Sequence, residues 1–343
     1  MNMTAIARQC MNHYHKSIAH YYQVDNVSEQ FAVTQVMDTK LRAAMLESVE
    51  FLGMITMLDV DQMKGQVVSV GSYNIATGRN ASGRFTSGQS VDGNQYELVE
   101  TDSCAYVTWA QMAAWANSGT QNQFASLMSA NATNRFALDI LRIGFNGTSV
   151  AATTDPVANP LGEDVNIGWH AHVKADAPEQ VVTDDIYFNF ELPVGTEPKA
   201  GEYRTIDAAV TELKALLHPS IRNDPRLRVL IGSDLVSASQ SRLMNQANTP
   251  TEKVAAQQLD KNIGGLIALQ PPFFPGKRLV VTIPTNLHYY KQKGTSSRMA
   301  ENVQDRKRHE DKYWRMDGYV VEEYEAYAAI DEANVTIGAA PDA

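Results

Sequence analysis

Residues able to do chemistry are few in this chain, and their spacing is poor. The stretch GRNASGRF, from Gly78, has two glycines at the separation of a phosphate-binding loop, but Arg84 and Phe85 stand where that loop needs Lys followed by Ser or Thr. Without that ammonium and hydroxyl, neither nucleotide phosphates nor magnesium would be held. His170 and His172, in WHAH, could offer two imidazoles from one face of a strand, as metal sites often do. No third ligand is placed by spacing, and the surrounding stretch is polar and acidic, so they read as solvated loop histidines. His13, His15 and His20 share a helical segment, but not at the i, i+4 spacing of a HExxH site and with no Glu between them, so they read as surface residues. Asp59 with Asp61, and Asp184 with Asp185, could be drawn as acid/base pairs; neighbouring carboxylates in an acidic chain are usually solvated turns. Cys10 and Cys104 lie 94 positions apart, which excludes a disulfide scaffold and any tight multi-cysteine zinc site, and no G-x-S-x-G elbow exists. The run RKRHEDK (306–312) is broken by Glu310 and Asp311 and fits a salt-bridged strand edge or subunit contact better than a nucleic-acid patch. The expectation is therefore no catalytic, cofactor-binding or metal site, no cofactor, and no enzymatic activity.

The elements that would carry these residues suit a larger structural role. At 343 residues the chain has length for about two domains, and 44% apolar with 20% charged residues suffices for a core. A net charge of −10 opposes a cationic nucleic-acid surface. The N-terminus lacks the apolar run of a secretory signal, and no stretch approaches 18 apolar residues, so a soluble, intracellular protein is expected.

Met3, Ile6, Cys10, Tyr14, Ile18 and Tyr21 or Tyr22 form one helical stripe over 1–24; Val36, Met37, Leu41, Met45, Leu46, Val49 and Leu52 form another over 34–52. Two β-rich arms, QVVSV and YELVETDSCAYVTW, flank a polar stretch at 71–95, too long for a tight turn. The longest helix is expected over 120–143, with Gly144 at its stop. Further expectations are a helix over 205–217 and a buried strand at 226–236 ending in a turn. Residues 251–269 begin helical, and strands follow at GGLIAL, KRLVVTIP and 319–330. Ten Lys and Arg face four acids over 277–315, whereas 316–343 holds seven acids and no base. Such segregation suits heterologous contacts between copies.

In this order the blocks VTQVMDTKLRAAMLESVEFL (33–52), DQMKGQVVSVG (61–71), LDILRIGFNGTSVA (138–151), DPVANPLGEDVNIGWHAHVKADAPEQV (155–181), YRTIDAAVTEL (203–213) and YWRMDGYVVEEYEAYAAI (313–330) span most of the chain. It resembles tailed-bacteriophage major capsid proteins of the Hong Kong 97 type, and more narrowly the peduovirus type. FNGTSVA with NPLGEDVNIGW is the most specific pairing.

The resemblance implies an α+β fold. Its parts would be a leader over 1–31, an N-terminal arm over 32–58 and an extended loop over 59–108. A spine-helix peripheral domain would cover 109–155 and 286–325, and an axial domain 156–285 and 326–343. It further implies self-assembly into an icosahedral head, as hexamers and pentamers, around an internal scaffolding protein with its protease. The leader would dock on that scaffold and be removed near Phe31–Ala32. The remaining implied partners are a portal protein and double-stranded DNA, enclosed without sequence-specific binding; no membrane is involved. Such a protein is assembled in the host bacterial cytoplasm and ends in the virion. The loop tip contains no Lys, so a Lys–Asn cross-link is not carried over. The alternative from another class is a different virion structural protein, such as a tail-tube subunit.

Overall fold

The computed structural model describes residues 3–67, 77–81, 83, 94–117, 119–193, 195–246 and 262–341. The polar stretch expected as a projecting loop tip, and the helical start expected at 251–261, lie largely outside them. Seven helices appear among the described residues: α1 (Ala5–Tyr22), α2 (Gln35–Ser48), α3 (Trp109–Asn117), α4 (Gln121–Asn146), α5 (Trp169–Asp176), α6 (Ile206–Leu216) and α7 (Ser233–Gln246). None is long and apolar enough to cross a membrane.

The first sheet runs β1 (Phe31–Ala32), β14 (Ser297–Val303), β15 (Arg308–Val321), β13 (Leu287–Gln292), β2 (Thr56–Val60), with β5 (Val99–Thr108) also paired to β15. The fourteen-residue β15 is its axis: β14 and β13 share one edge, and β5 lies antiparallel from Val99↔Asp317 to Thr108↔Arg308. Thus the second β-rich arm does not simply project; its C-terminal part is a sheet strand. Its first residues, β4 (Gln95–Glu97), pair with β3 (Lys64–Gln66) as a small hairpin.

The second sheet runs β10 (Asn262–Ile263), β11 (Leu266–Leu269), β9 (Arg228–Ile231), β12 (Leu279–Thr282), β16 (Tyr327–Ile330), β6 (Val181–Val182). Its central strands are apolar on both sides, because each side meets a different core. Val229, Ile231, Leu279, Val281 and Ala328 face α6 and α7, whereas Leu230, Val280 and Ala329 join the core under the first sheet. A third, small sheet sets β7 (Ile186–Phe188) between β17 (Val335–Ile337) and β8 (Glu202–Tyr203).

Helix α4 is the spine. Twenty-six residues at 1.5 Å rise make it about 39 Å long. Thr120 and Gln123 form a reciprocal capping box, so the polar NSGTQNQ is its start signal. The helix passes through Gly144 and ends at Gly147. Gly144 is not a stop; a Cβ there would come within 2.6 Å of the Trp169 ring, so glycine lets α5 close on the spine. The neighbouring crossing is tighter: a Cβ on Gly168 would lie 2.5 Å from the Gly144 carbonyl oxygen, and one on Gly147 would overlap that of Asn166. FNG and NIGW meet backbone to backbone.

Helix α1 buries Ala7, Cys10, Met11, Tyr14, Ile18 and Tyr22 against α3, α4 and the first sheet. Ile6 and Tyr21, expected in its stripe, are exposed, as is Val36 of α2. The stripe's apolar face is therefore not left open for a scaffold; it is packed on its own subunit. Helix α2 stops at Ser48 and a 3-10 turn follows over Glu50–Gly53. At 226–236 the strand is only four residues, and α7 follows at once.

Candidate functional site

The residues with chemical potential are dispersed, and most are neutralised by neighbours. Asp59 is ion-paired to Arg42 at 3.0 Å, and Asp61 to Lys293 at 2.9 Å, so they are not an acid/base pair. Asp184 and Asp185 are exposed in a turn. Gly78 is exposed, and Arg84 and Phe85 lie outside the described residues. Burial pushes the Cys104 thiol up to about 11, the opposite of an activated nucleophile; Cys10 is buried under α1.

The run 306–312 starts in the turn before β15 and from Arg308 enters it, a central strand with two polar faces. On one, Glu310 takes Arg308 at 2.6 Å, Arg306 at 3.4 Å and Lys312 at 3.2 Å, and Lys312 also reaches Glu301. On the other, His309 and Asp311 are buried against α1. Tyr14 Oη donates to both Asp311 carboxylate oxygens at 3.2 and 3.3 Å. Arg298 donates to Tyr22 Oη at 2.7 Å and lies 3.8 Å from Asp311. His15 Nε2 and His309 Nε2 lie 3.1 Å apart, a hydrogen bond in which one ring donates and the other accepts. Burial pushes both rings down to about 4, so both are neutral at pH 7; burial also raises Asp311, against the pull of Arg298. Far from being a surface histidine, His15 is part of a polar latch that fixes α1.

A second cluster joins the spine to the second sheet. His170 is buried on α5, not solvated in a loop, and His172 is half-buried beside it. His170 Nδ1 meets Tyr327 Oη at 3.1 Å, and its Nε2 lies 3.9 Å from Asp331. His170, Asp331 and Glu332 bring three possible ligand atoms within 4.8 Å of one another. The set does not fit a metal: Lys174 bonds Asp331, and Arg278 holds Glu332 by two bonds of 2.5 and 2.6 Å, so both carboxylates already have cations. Arg278 also donates to the Phe145 carbonyl at 2.5 Å, placing positive charge at the C-terminus of α4, where the helix dipole favours it. Beside His170 and Lys174 the Asp331 carboxyl is held far below the usual carboxylate range.

Two further buried pairs stitch the first sheet. Lys291 bonds Asp38 of α2, with Asp59 at 3.8 Å. Arg315 pairs with Asp317 at 2.7 Å, and Tyr289, Thr101 and Ser103 complete that network. Eight of the ten cations over 277–315 thus have a carboxylate partner within the subunit. Sequence reasoning missed Arg278, Asp331 and Glu332; for Asp311, period-two polarity in a long strand was the available signal, and for Tyr14 its place in the α1 stripe.

The geometry is that of a scaffold with internal cross-links. Against known families, residues 10–333 match phage major capsid protein, P2 family. The chain belongs to that family. It is 29% identical over 344 residues to the capsid protein of Escherichia phage P2, covering 94% of this chain and 93% of that protein. It is 30% identical to the major capsid protein of Serratia phage KSP20, covering 89% of each. Among solved structures it is similar to a chain of the satellite phage P4 procapsid that includes the size determination (Sid) protein, with 26% identity and a TM-score of 0.71, covering 88% of this chain and 99% of that one. This is a peduovirus-type major capsid protein of a tailed phage, a virion component that forms a shell from its own copies. The tail-tube alternative falls with that membership. In a capsid subunit the internal charge clusters make structural sense: they fix spine, sheets and α1 to one another.

Proposed function

We propose that copies of this chain assemble as hexamers and pentamers into an icosahedral head, around an internal scaffolding protein with its protease and together with a portal protein, in the host bacterial cytoplasm. The shell encloses double-stranded DNA without reading its sequence, and the subunit has no enzymatic activity of its own. In this reading α4 with β13, β14 and β15 of the first sheet is the peripheral domain (109–155 and 286–325), to which β2 and β5 are added by the arm and loop, and the second and third sheets with α6 and α7 are the axial domain (156–285 and 326–343). The N-terminal arm is 32–58 and the extended loop 59–108. The observation that carries it is the likeness, over most of both chains, to a procapsid subunit.

The leader, 1–31, acts during assembly and is removed near Phe31–Ala32. In support, the proposed junction falls in the two-residue β1 at the edge of the first sheet, and the core that α1 shares with α3, the start of α4, β5 and β14 is separate from the cores under the two large sheets. Its outward face, with Ile6, Arg8, Lys16 and Tyr21, is what it offers the scaffold. Electron microscopy of the chain produced with its phage's head proteins tests the shell: closed spheres are expected, and tubes or free rings would refute it. Intact mass of coat protein from infectious particles tests the leader, with a chain starting near Ala32 expected and a full-length mass decisive against removal.

A further inference from the structure

The loop between α4 and α5 holds itself rigid although it covers little core. The Thr148 and Ser149 amides donate to the Glu163 carbonyl at 2.8 and 3.1 Å, and Ala151 to that of Asp164 at 2.9 Å. Asp155 N–H donates to the Asp164 carboxylate at 2.7 Å, and one Asp155 oxygen accepts from Val157 and Ala158 at 2.9 and 3.2 Å. Leu161 N–H is held by the Glu163 carboxylate at 2.9 Å. At the tip of this framework Val157 is 89% exposed, with Leu161 also exposed. An apolar tip fixed in advance on a rigid loop is pre-organised for binding, since its ordering cost is met before contact. The knob is also anionic: it bears Asp155, Glu163 and Asp164, and no Lys or Arg occurs between Arg142 and Lys174.

A groove of about 420 Å³ between α1, α2 and α4 has the complementary character. Its floor includes Ile18, Leu41 and Ala125, its cations are Lys40 and Arg298, and no carboxylate lines it. Two other grooves, lined by Asp184 with Asp185 or by Glu50 and by no Lys or Arg, would repel the knob, and in a third the Glu97 carboxylate is already paired with Lys64 at 2.6 Å.

We propose that the Val157 knob of one subunit seats in the α1–α2–α4 groove of a second copy of this chain. Knob and groove are different patches, so the contact is heterologous and repeats around a ring. The inference rests on shell formation from copies, not on removal of the leader. Because α1 forms one wall, the contact belongs to subunits that still carry the leader.

The test uses the full chain produced with its phage's head proteins, in a Cys104→Ser background; Cys10 is buried. Val157→Cys with Ser126→Cys, a residue lining the groove, should give disulfide-linked ladders in procapsids, and neither single variant should. Val157→Asp should cut procapsid yield about tenfold, as expected for loss of a buried Val from a repeated contact, while Val157→Ile retains it. In unmodified procapsids mixed from ¹⁴N and ¹⁵N chains, a carbodiimide should join Lys40 of one subunit to Asp155 or Glu163 of another. Procapsids without those cross-links, a Lys40 cross-link to a different protein, or a normal yield from Val157→Asp would overturn the proposal.

Discussion

Replacing Gly147 by Ala tests whether the crossing of FNG over NIGW organises the subunit. Gly147 has φ −63° and ψ 132°, which any residue adopts. The substitution therefore adds no backbone strain, and by stiffening the unfolded chain favours folding by about 0.4–1 kcal/mol. Against this, the new Cβ would overlap the Asn166 carbonyl oxygen and approach that of Ile143 to 2.7 Å. Both obstacles are backbone. Asn166 is tied to the Asp317 carbonyl at 3.2 Å, and Gly168 N–H bonds Gly147 O at 3.0 Å, so relief requires the segments to part. That movement loosens Trp169, whose Nε1 bonds the His288 carbonyl at 2.8 Å. Overpacking costs about 1–3 kcal/mol, and unyielding neighbours place this site at the upper end, for a net loss of about 2 kcal/mol. With an unfolding entropy of about 2.1 cal/mol/K per residue, a chain of 343 residues melting as one unit would lose about 3 °C. Scanning calorimetry on the unassembled subunit reads this directly. Gly53→Ala is the control: its Cβ would meet nothing within 4 Å, so only the stiffening of the unfolded chain remains and the subunit should be unchanged or gain up to about 1 kcal/mol. A Gly147→Ala subunit melting at or above the parent temperature would refute the close-approach argument.

Three other perturbations probe the internal charges. Lys291→Met leaves buried Asp38 without its cation and should cost about 3–5 kcal/mol in denaturant unfolding, whereas Lys291→Met with Asp38→Leu should recover most of it; equal losses would refute pairing as the cause. Acid should loosen α1: an undocked histidine takes up a proton below about 6.5, but His309 docked resists until about 4. Stability present at neutral pH is therefore lost as pH falls, by about 2 kcal/mol at pH 5 for His309. Part-exposed His15 adds less, and buried Asp311, whose carboxyl is raised, offsets some of it. Hydrogen exchange in α1, corrected for intrinsic rates, should rise from pH 7.5 to 5 in the parent and less in His309→Phe; a flat parent profile would count against the latch. Arg278→Met strips the Phe145 carbonyl and Glu332 of their shared partner and should cost more than Lys174→Met, whose ammonium is half-exposed; the reverse ranking in melting temperature would be inconsistent with Arg278 as the link.

Periodicity placed α1, α2, α4 and α6 within a few residues, because an apolar stripe at steps of three and four is a local property. Helix α7 escaped because SDLVSASQSRLMNQ carries too few apolar positions to mark a face; its first amides are satisfied by the Gly276 carbonyl, contributed by a distant turn. WHAHVKAD escaped for a related reason. Only Trp169 and Val173 anchor it, and His170 is buried by Tyr327, 157 positions away.

The polar clusters show why a charged run is ambiguous in sequence. HEDKYWRMD reads as a solvated face, yet His309, Asp311, Tyr313, Arg315 and Asp317 all point inward. What distinguishes them is their partners, and these lie far along the chain: Tyr14 is 297 positions from Asp311 and Ser103 is 212 from Arg315. A charge can be buried only where an opposite charge or donor meets it, so the decision belongs to the tertiary fold. The glycines are the converse case. Their sequence context, FNGTSVA with NIGW, is enough to mark the family, and the reason those glycines stand there is steric. Two backbone segments approach so closely that a single methyl group at Gly147 or Gly168 would separate the spine from the α5 turn that closes over it.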